Sequence, residues 1–558
     1  MFGFVGVVSR TEQDLPAFSG NSFKFEKYKF HSNFKVFPEK EDGQTFSFSD
    51  GSIVKILGLF FSASNPPKSL NNFEEIADGA FTAFAVTPNG FRIYADPCGW
   101  RSIYFREEGN LLYITSNIRY LREYLGLNLE PVPERSIDFL CTSFIPGLET
   151  LTKNVFELPM GNVLEWKGQN KSTIRDYCRY DTLPKVEKTL PETARDLHAI
   201  CLKNTENIKE ASGKKECTVF LSGGLDSTCA LSSAIDIFGL KNVKTISVHF
   251  GSDLPNENKY IDEAVKYFGC NHRYLEISPD SFLSEMDNLY RWIDDPIGDP
   301  VVMPNYMMNR AIDPKEQLVI TGEGGDPCFG GPKNVFMSNS MQYSEIYCNG
   351  SNDAFLATSY LESFKRAYDD AAHLSRFSEP TFGRRLDKLQ SNLNTHLTNP
   401  RWESFLDRLL FANKHLKSNS LILPKVQKTT QPFFRYSFSP LFSRTVIEFC
   451  ARTPIQIKYP RLQEKFILKK AFLGKIPQSI IDRDKSGMRV PLRFWQGHKI
   501  KTFNRDVLLR KNKTLTSRFF NIKEIKALLK HPRPRQGLKS WMLSTFILTA
   551  KNLYEPKS

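Results

Sequence analysis

The feature that most constrains this chain is the hexapeptide Ser222–Gly223–Gly224–Leu225–Asp226–Ser227. It directly follows the short apolar run Cys217–Leu221 and directly precedes the helix-patterned segment Ser227–Phe238. A strand that turns through two glycines into a helix brings unpaired N–H groups and the positive end of a helix dipole to one point. Glycine also removes the side chains that would hold an anion away from the backbone. Ser222 and Ser227 add hydroxyl donors. Asp226 does not favour a phosphate directly; its carboxylate makes sense as a ligand for Mg²⁺ that bridges phosphate oxygens. The Walker A pattern GxxxxGK[ST] is not found, so this is a different phosphate loop. The bland alternative is a tight turn with a capping Ser or Asp, and the complete hexapeptide in this context outweighs it.

A second glycine loop, Thr321–Gly322–Glu323–Gly324–Gly325–Asp326, follows the strand-like run Gln317–Thr321. In open α/β sheets ligands bind at the carboxyl ends of strands, so the two loops are expected to face one pocket. Asp326 is then a second metal carboxylate, and Glu323 a positioned acid or base. Taken alone, this segment also reads as a glycine turn with a capping carboxylate, and its pairing with the first loop outweighs that reading.

At 558 residues the chain predicts two to three domains. The first part reads as short strands: Gly3–Ser9, Val54–Phe61, Phe81–Val86, Phe91–Tyr94 and Leu111–Thr115, with a hairpin signal at Asn89–Gly90. An antiparallel, sheet-rich unit is the natural reading. A polar stretch punctuated by Pro184 and Pro191 marks a boundary, with a helix beginning near Glu192. Beyond it strands and helices alternate: Cys217–Leu221, Val243–Phe250 and Gln317–Thr321 as strands, Ser227–Phe238 and Glu257–Phe268 as helices. Alternation of this kind implies a parallel sheet. From about residue 340 helical patterns dominate, and residues 335–420 are weakly informative.

The pair SGGLDS and GEGGD resembles the synthetase domain of the asparagine synthetase family, which includes β-lactam synthetases and lasso-peptide macrolactam cyclases. Three further segments resemble the family: Ala95–Asp96–Pro97–Cys98–Gly99–Trp100–Arg101–Ser102–Ile103–Tyr104; Ile145–Pro146–Gly147 with Leu158–Pro159–Met160–Gly161; and Asp482–Arg483–Asp484–Lys485, similar to a late R-x-K element. The resemblance implies an N-terminal antiparallel β-rich, glutaminase-like (Ntn-type) sandwich over residues 1–185. It implies a C-terminal PP-loop ATP-pyrophosphatase α/β domain with a helical C-terminal part over residues 186–558. It implies ATP as substrate and Mg²⁺ as cofactor. Leu221, Ser222, Gly223, Gly224, Asp226, Ser227, Val248 and Gly322 would bind the nucleotide and pyrophosphate, and Asp226 and Asp326 the metal. Glu323 and Lys485 would be catalytic, Lys485 as a cation placed where negative charge develops.

Departures from the family pattern carry as much information. The family's glutaminase uses an N-terminal thiol; here the segment is Phe2–Gly3–Phe4–Val5–Gly6, and the first cysteine is Cys98. Phenylalanine has no nucleophilic atom, so the half is expected to be a relic without glutaminase chemistry. The segments associated with aspartate recognition are replaced by Ala412–Asn413–Lys414–His415–Leu416–Lys417 and Gln431–Pro432–Phe433–Phe434–Arg435, and Pro327 follows Asp326. The expected function is therefore an ATP-dependent ligase that adenylates a carboxylate for attack by an amine from a source other than glutamine, with a macrolactam cyclase as leading reading. The alternatives are an ammonia-using asparagine synthetase and a non-catalytic nucleotide- or peptide-binding scaffold. The expected partners are a small-molecule or peptide substrate, with a precursor peptide and its processing protease. The formal charge of +14 favours anionic partners, but nucleic acid is not expected, because the ten scattered cysteines form no CxxC pair of the kind tRNA-modifying relatives use. Free thiols and the lack of a long apolar run predict a cytoplasmic protein with no membrane insertion.

Overall fold

The computed structural model describes residues 3–11, 15, 22–27, 30–37, 43–61, 66–169, 171–251, 254, 256–331, 334, 337–340, 353–364, 367–368, 371–378, 381–402, 404–483, 488, 490–495, 498–530 and 536–555. Phe2 and Lys485 lie outside these residues. Two antiparallel sheets come first. One runs in the order Phe156–Glu157, Tyr104–Glu108, Leu111–Thr115, Gly3–Ser9, Phe30–Phe37, Ser22–Lys27. The other runs Ser172–Asp176, Asn162–Trp166, Gly90–Ala95, Gly79–Thr87, Ile53–Phe60, Gln44–Ser47. Phe4 and Phe34 of the first sheet meet Phe84 and Phe91 of the second between the layers, with Phe4 and Phe84 edge-to-face at 5.3 Å. Gly90 completes the expected hairpin, pairing with Thr87.

A parallel sheet follows, in the order Asn271–Glu276, Val243–His249, Cys217–Phe220, Leu318–Ile320, Tyr436–Phe438. Its central strand, Cys217–Phe220, has Val243–His249 on one side and Leu318–Ile320 on the other. That order puts the carboxyl ends of Cys217–Phe220 and Leu318–Ile320, and so both glycine loops, side by side. The mixed α/β class matches the sequence reading. The edge strand Tyr436–Phe438 differs from it, since it rises from a stretch read as helical. Three residues are too few to show a period of two, and only pairing with Leu318–Ile320 makes the segment extended.

The antiparallel and parallel parts are packed directly together. Asp96 is fully buried and accepts four backbone N–H groups, from Cys98, Gly99 and Trp100 on Oδ1 and from Arg101 on Oδ2. The turn it organises drives Trp100 into the parallel half, where its Nε1 donates to Phe442 O at 3.0 Å and its ring lies 4.8 Å from Phe438. The helix Leu423–Thr430 makes a second seam. Gln427 accepts Ser102 N–H at 3.0 Å, and the Lys428 ammonium donates to Ser116 O at 3.0 Å and Asp294 Oδ2 at 2.8 Å. Lys428 and Asp294 have side chains 1% and 2% exposed. Burying such a pair gains little against an apolar pair, but removing one partner strands the other charge. We expect Lys428→Met to cost about 3–5 kcal/mol of stability, read as a lowered urea midpoint. An unchanged midpoint would show that burying Lys428 against Asp294 and Ser116 does not matter to stability.

Candidate active site

The helix Leu225–Phe238 starts at Gly224 without a side-chain cap, so its first-turn N–H groups face the loop rather than a capping oxygen. Within the loop Ser222 and Ser227 hydroxyls lie 3.0 Å apart, and Ser227 Oγ donates to Gly224 O at 3.1 Å. Both loops line one cavity of about 1130 Å³, to which Leu221, Ser222, Gly224, Asp226, Ser227, Gly322, Glu323 and Asp326 all contribute. Their contact depends on missing side chains. A Cβ on Gly322 would lie 2.5 Å from Ser227 N and 2.7 Å from Asp226 C. On Gly325 it would lie 2.2 Å from Asp226 Cγ. A larger residue at 322 therefore pushes the loop backbones apart, and one at 325 displaces the Asp226 carboxylate.

The structure adds a residue that sequence reading overlooked. Lys465 Nζ sits 2.5 Å from Asp226 Oδ2 and 2.8 Å from Asp326 Oδ1, tying the two loops to one ammonium. The two carboxylates hold Lys465 firmly in its charged form, well above the usual lysine range despite the burial that opposes it. Lys465 adopts a left-handed conformation at φ 53°, and its backbone N–H donates to Phe329 O at 3.1 Å. A non-glycine residue in that region costs on the order of 1 kcal/mol, a strain that recurs at functional sites. Nothing in the local sequence Gln463–Glu464–Lys465–Phe466 distinguishes this lysine from a surface one.

The other sequence-predicted positions fall as follows. Gly223 does not line the cavity; its carbonyl accepts Arg483 Nη1 at 2.9 Å. Arg483 also pairs with Glu257 and covers the Tyr260 ring at 3.7 Å, which anchors the first residue of the Arg483–Asp484–Lys485 element on the phosphate loop. Lys485 itself lies outside the described residues. Val248 is buried in the apolar core and does not line the cavity. Its strand neighbour Ile246 accepts Leu221 N–H at 3.0 Å. Asn413, Lys417 and Pro327, noted as departures, do line the cavity. Arg435 instead caps backbone carbonyls of Asn309, Ile312 and Glu316. The cavity also contains a pair the sequence did not reveal, Lys425 Nζ and Asp299 Oδ2 at 3.1 Å. Among the described residues no group of three or more His, Cys, Asp or Glu is arranged as a metal site, and all the cysteines described are free and buried. No helix there is long and apolar enough to cross a membrane.

Because the loops touch backbone to backbone, Gly322→Ala is expected to lower ATP–pyrophosphate exchange by about 10²-fold, the order of loss that a 1 Å misplacement causes. The melting temperature reports separately on folding; exchange at the parental rate would mean the contact is not needed.

Comparison with known proteins bears on what this cavity belongs to. The sequence profile of the asparagine synthase family matches residues 209–554. The glutamine-hydrolysing asparagine synthetase 1 of Bacillus subtilis (strain 168) is 23% identical over 453 residues, 77% of this chain and 70% of that protein. A putative glutamine-hydrolysing asparagine synthetase 2 of Methanocaldococcus jannaschii is 26% identical over 246 residues, 42% of this chain and 46% of its own length. Among solved structures, the glutamine phosphoribosylpyrophosphate amidotransferase of Bacillus subtilis, complexed with ADP and GMP, overlaps 66% of this chain and 88% of its own. It does so at 10% identity and a TM-score of 0.20, too loose a superposition to carry an argument. The chain belongs to the asparagine synthase family, whose members are ATP-dependent carbon–nitrogen ligases.

Proposed function

We propose that this chain adenylates a substrate carboxylate with ATP, releases pyrophosphate, and passes the acyl group to an amine that does not come from glutamine. The observation that carries this reading is the meeting of the two glycine loops, with Asp226 and Asp326, on one cavity. The phosphates of ATP lie against Ser222, Gly224 and Ser227, where hydroxyls and helix N–H groups converge. The carboxylate oxygen attacks the α-phosphorus, the bond to the bridging oxygen breaks, and pyrophosphate departs. The amine then attacks the acyl carbon, AMP leaves, and the amine proton passes to a base, for which Glu323 is the candidate within the cavity.

Mg²⁺ fits the donors present. Two carboxylates of different loops already share one cation, Lys465, and Asp226 and Asp326 are the hard oxygen donors that would hold this metal. When bound, the ion neutralises charge on the leaving pyrophosphate. Lys465 is placed to hold the same charge as it develops.

Glutamine is excluded as donor in this reading because Phe2 cannot form a thioester. Beside it, the Gly3 α-carbon is crowded: a Cβ there would lie 2.9 Å from Gln431 Nε2 and 3.1 Å from Tyr120. An amine carried by the acyl substrate itself is then favoured, and a macrolactam cyclase is the specific form we infer. The apolar wall of the cavity, with Phe364, Leu421, Ile422 and Met542, supports an acyl substrate that carries apolar groups. The relatives' glutamine-hydrolysing asparagine synthesis keeps ammonia-dependent asparagine formation as the second reading.

Phosphorus NMR is expected to show ATP converted to AMP and pyrophosphate; ADP as sole product would end the proposal. Asp226→Ala and Asp326→Ala are each expected to lower turnover by about 10²-fold or more while the protein stays folded. Exchange assays with L-aspartate and ammonium, against linear peptides bearing an acidic side chain and a free amine, separate the two readings. Purified protein should release no glutamate from glutamine, and Phe2→Cys alone should not restore that activity; measurable glutaminase turnover in the parent would return ordinary asparagine synthesis to first place.

A further inference from the structure

A second cavity, of about 390 Å³, lies between the antiparallel half and the helix Phe382–Leu397. That volume falls in the range of small-molecule sites, roughly 300–1,000 Å³. Five cationic side chains line it: Arg135, Lys153, Arg384, Arg385 and Lys388. The carboxylates lining it are Glu134 and Glu149. Behind it, fully buried Asp138 is gripped by Arg385, through Nε at 2.8 Å and a second Nη2 bond. Arg135 Nη1 reaches the same carboxylate at 3.3 Å.

Glu149 is the half-buried carboxylate of this network. Its carboxylate pairs with Arg135, lies 3.8 Å from Arg385 Nη1 and 3.4 Å from Lys388 Nζ. Burial pushes the Glu149 carboxyl up, but Arg135 and Lys388 outweigh it and hold the group below the usual carboxylate range. Arg135 is 6% exposed, yet its Nε has no hydrogen-bond partner. A buried guanidinium N–H left unmade is costly and calls for a partner. Arg384 is exposed and has no ion pair among the described contacts. The cation set therefore exceeds what its own carboxylates use. Val132 and Phe156 add an apolar side to the same pocket.

We propose that this pocket is an effector site for a small phosphorylated molecule, whose phosphoryl group displaces Glu149 from Arg135, Arg385 and Lys388 and recruits Arg384. A phosphoryl dianion carries more charge and more acceptor oxygens than the single carboxylate it replaces, and guanidinium forks match its geometry. A ring or other apolar body would rest on Phe156. The site is connected to the large cavity by one rigid element. Arg135 begins the helix Arg135–Thr142, and Ser143, immediately after it, lines the large cavity and accepts Gly298 N–H at 2.8 Å. The adjoining Leu151 N–H donates to Asp295 Oδ1 at 2.9 Å, four residues before the cavity residue Asp299.

The test uses the full chain, with inorganic phosphate, pyrophosphate and AMP as probes in calorimetric titrations. Arg384→Glu/Lys388→Glu changes two exposed side chains outside the large cavity, so its initial rate of AMP formation from ATP, with no probe added, should equal the parent's. The parent is expected to show one more saturable site than this variant for at least one probe, or binding about tenfold tighter. Glu149→Gln, which weakens the competing carboxylate, is expected to tighten the same site, a result that a purely structural network would not produce. Equal stoichiometry and affinity in the parent and the double variant for all three probes would overturn the proposal. So would weaker binding in Glu149→Gln.

Discussion

Two ionised carboxylates brought together at the mouth of a sheet repel each other, and the Lys465 ammonium between them offsets that repulsion. Oxygens of Asp226 and Asp326 lie within 2.5 and 2.8 Å of one ammonium, so they are no more than about 5 Å apart. At an effective dielectric constant near 20, like charges at that separation repel by ~3 kcal/mol. Glycine at 322 and 325 makes the approach sterically possible, and Lys465 makes it electrostatically tolerable. The rest of the site follows from this clamp. The phosphate loop, the second loop and the segment entering the helix Phe466–Ala471 are positioned against one another because each supplies one member of the triad. Two carboxylates against one ammonium leave a single net negative charge, held in place before any ligand arrives.

The antiparallel half has a structural task that does not depend on glutaminase chemistry. The helix Leu423–Thr430 presents Lys425, Thr429 and Thr430 to the large cavity. Its Gln427 and Lys428 bond to Ser102, Ser116 and Asp294. The wall of the site is thus held in place by the N-terminal sheets, and Trp100 braces the strand Tyr436–Phe438 beside it. Without those sheets a buried ammonium and a buried amide would lose partners, at a cost of several kcal/mol. This gives the half a physical role in holding the wall of the large cavity.

Much of this is legible in the sequence because it is local. The strands Leu111–Thr115 and Gly3–Ser9 have the limits that their residues predict, since valine and aromatic runs bounded by turns admit few other conformations. The hexapeptide 222–227 identifies an anion-binding turn without any knowledge of the fold, because glycines between a strand and a helix leave donors unpaired wherever they occur. The fold class follows from the alternation of strands and helices. What stays hidden is non-local. Tyr436–Phe438 is a strand only through its neighbour, and Lys425 meets Asp299 across more than a hundred residues of chain.

The sequence by itself therefore determined the two glycine loops with their carboxylates, the α/β class, the phenylalanine at position 2 and membership of a family of ligases. Only the tertiary structure decided that the two loops touch, that Lys465 joins them, that the cavity extends to Lys425 and Phe364, and that Arg135 and Arg385 converge on Asp138 and Glu149. The physical reason is the same in each case. A turn's chemistry is set by neighbours along the chain, whereas a charge's partner is set by where packing brings distant segments together, and an isolated lysine or arginine in a sequence carries no record of that.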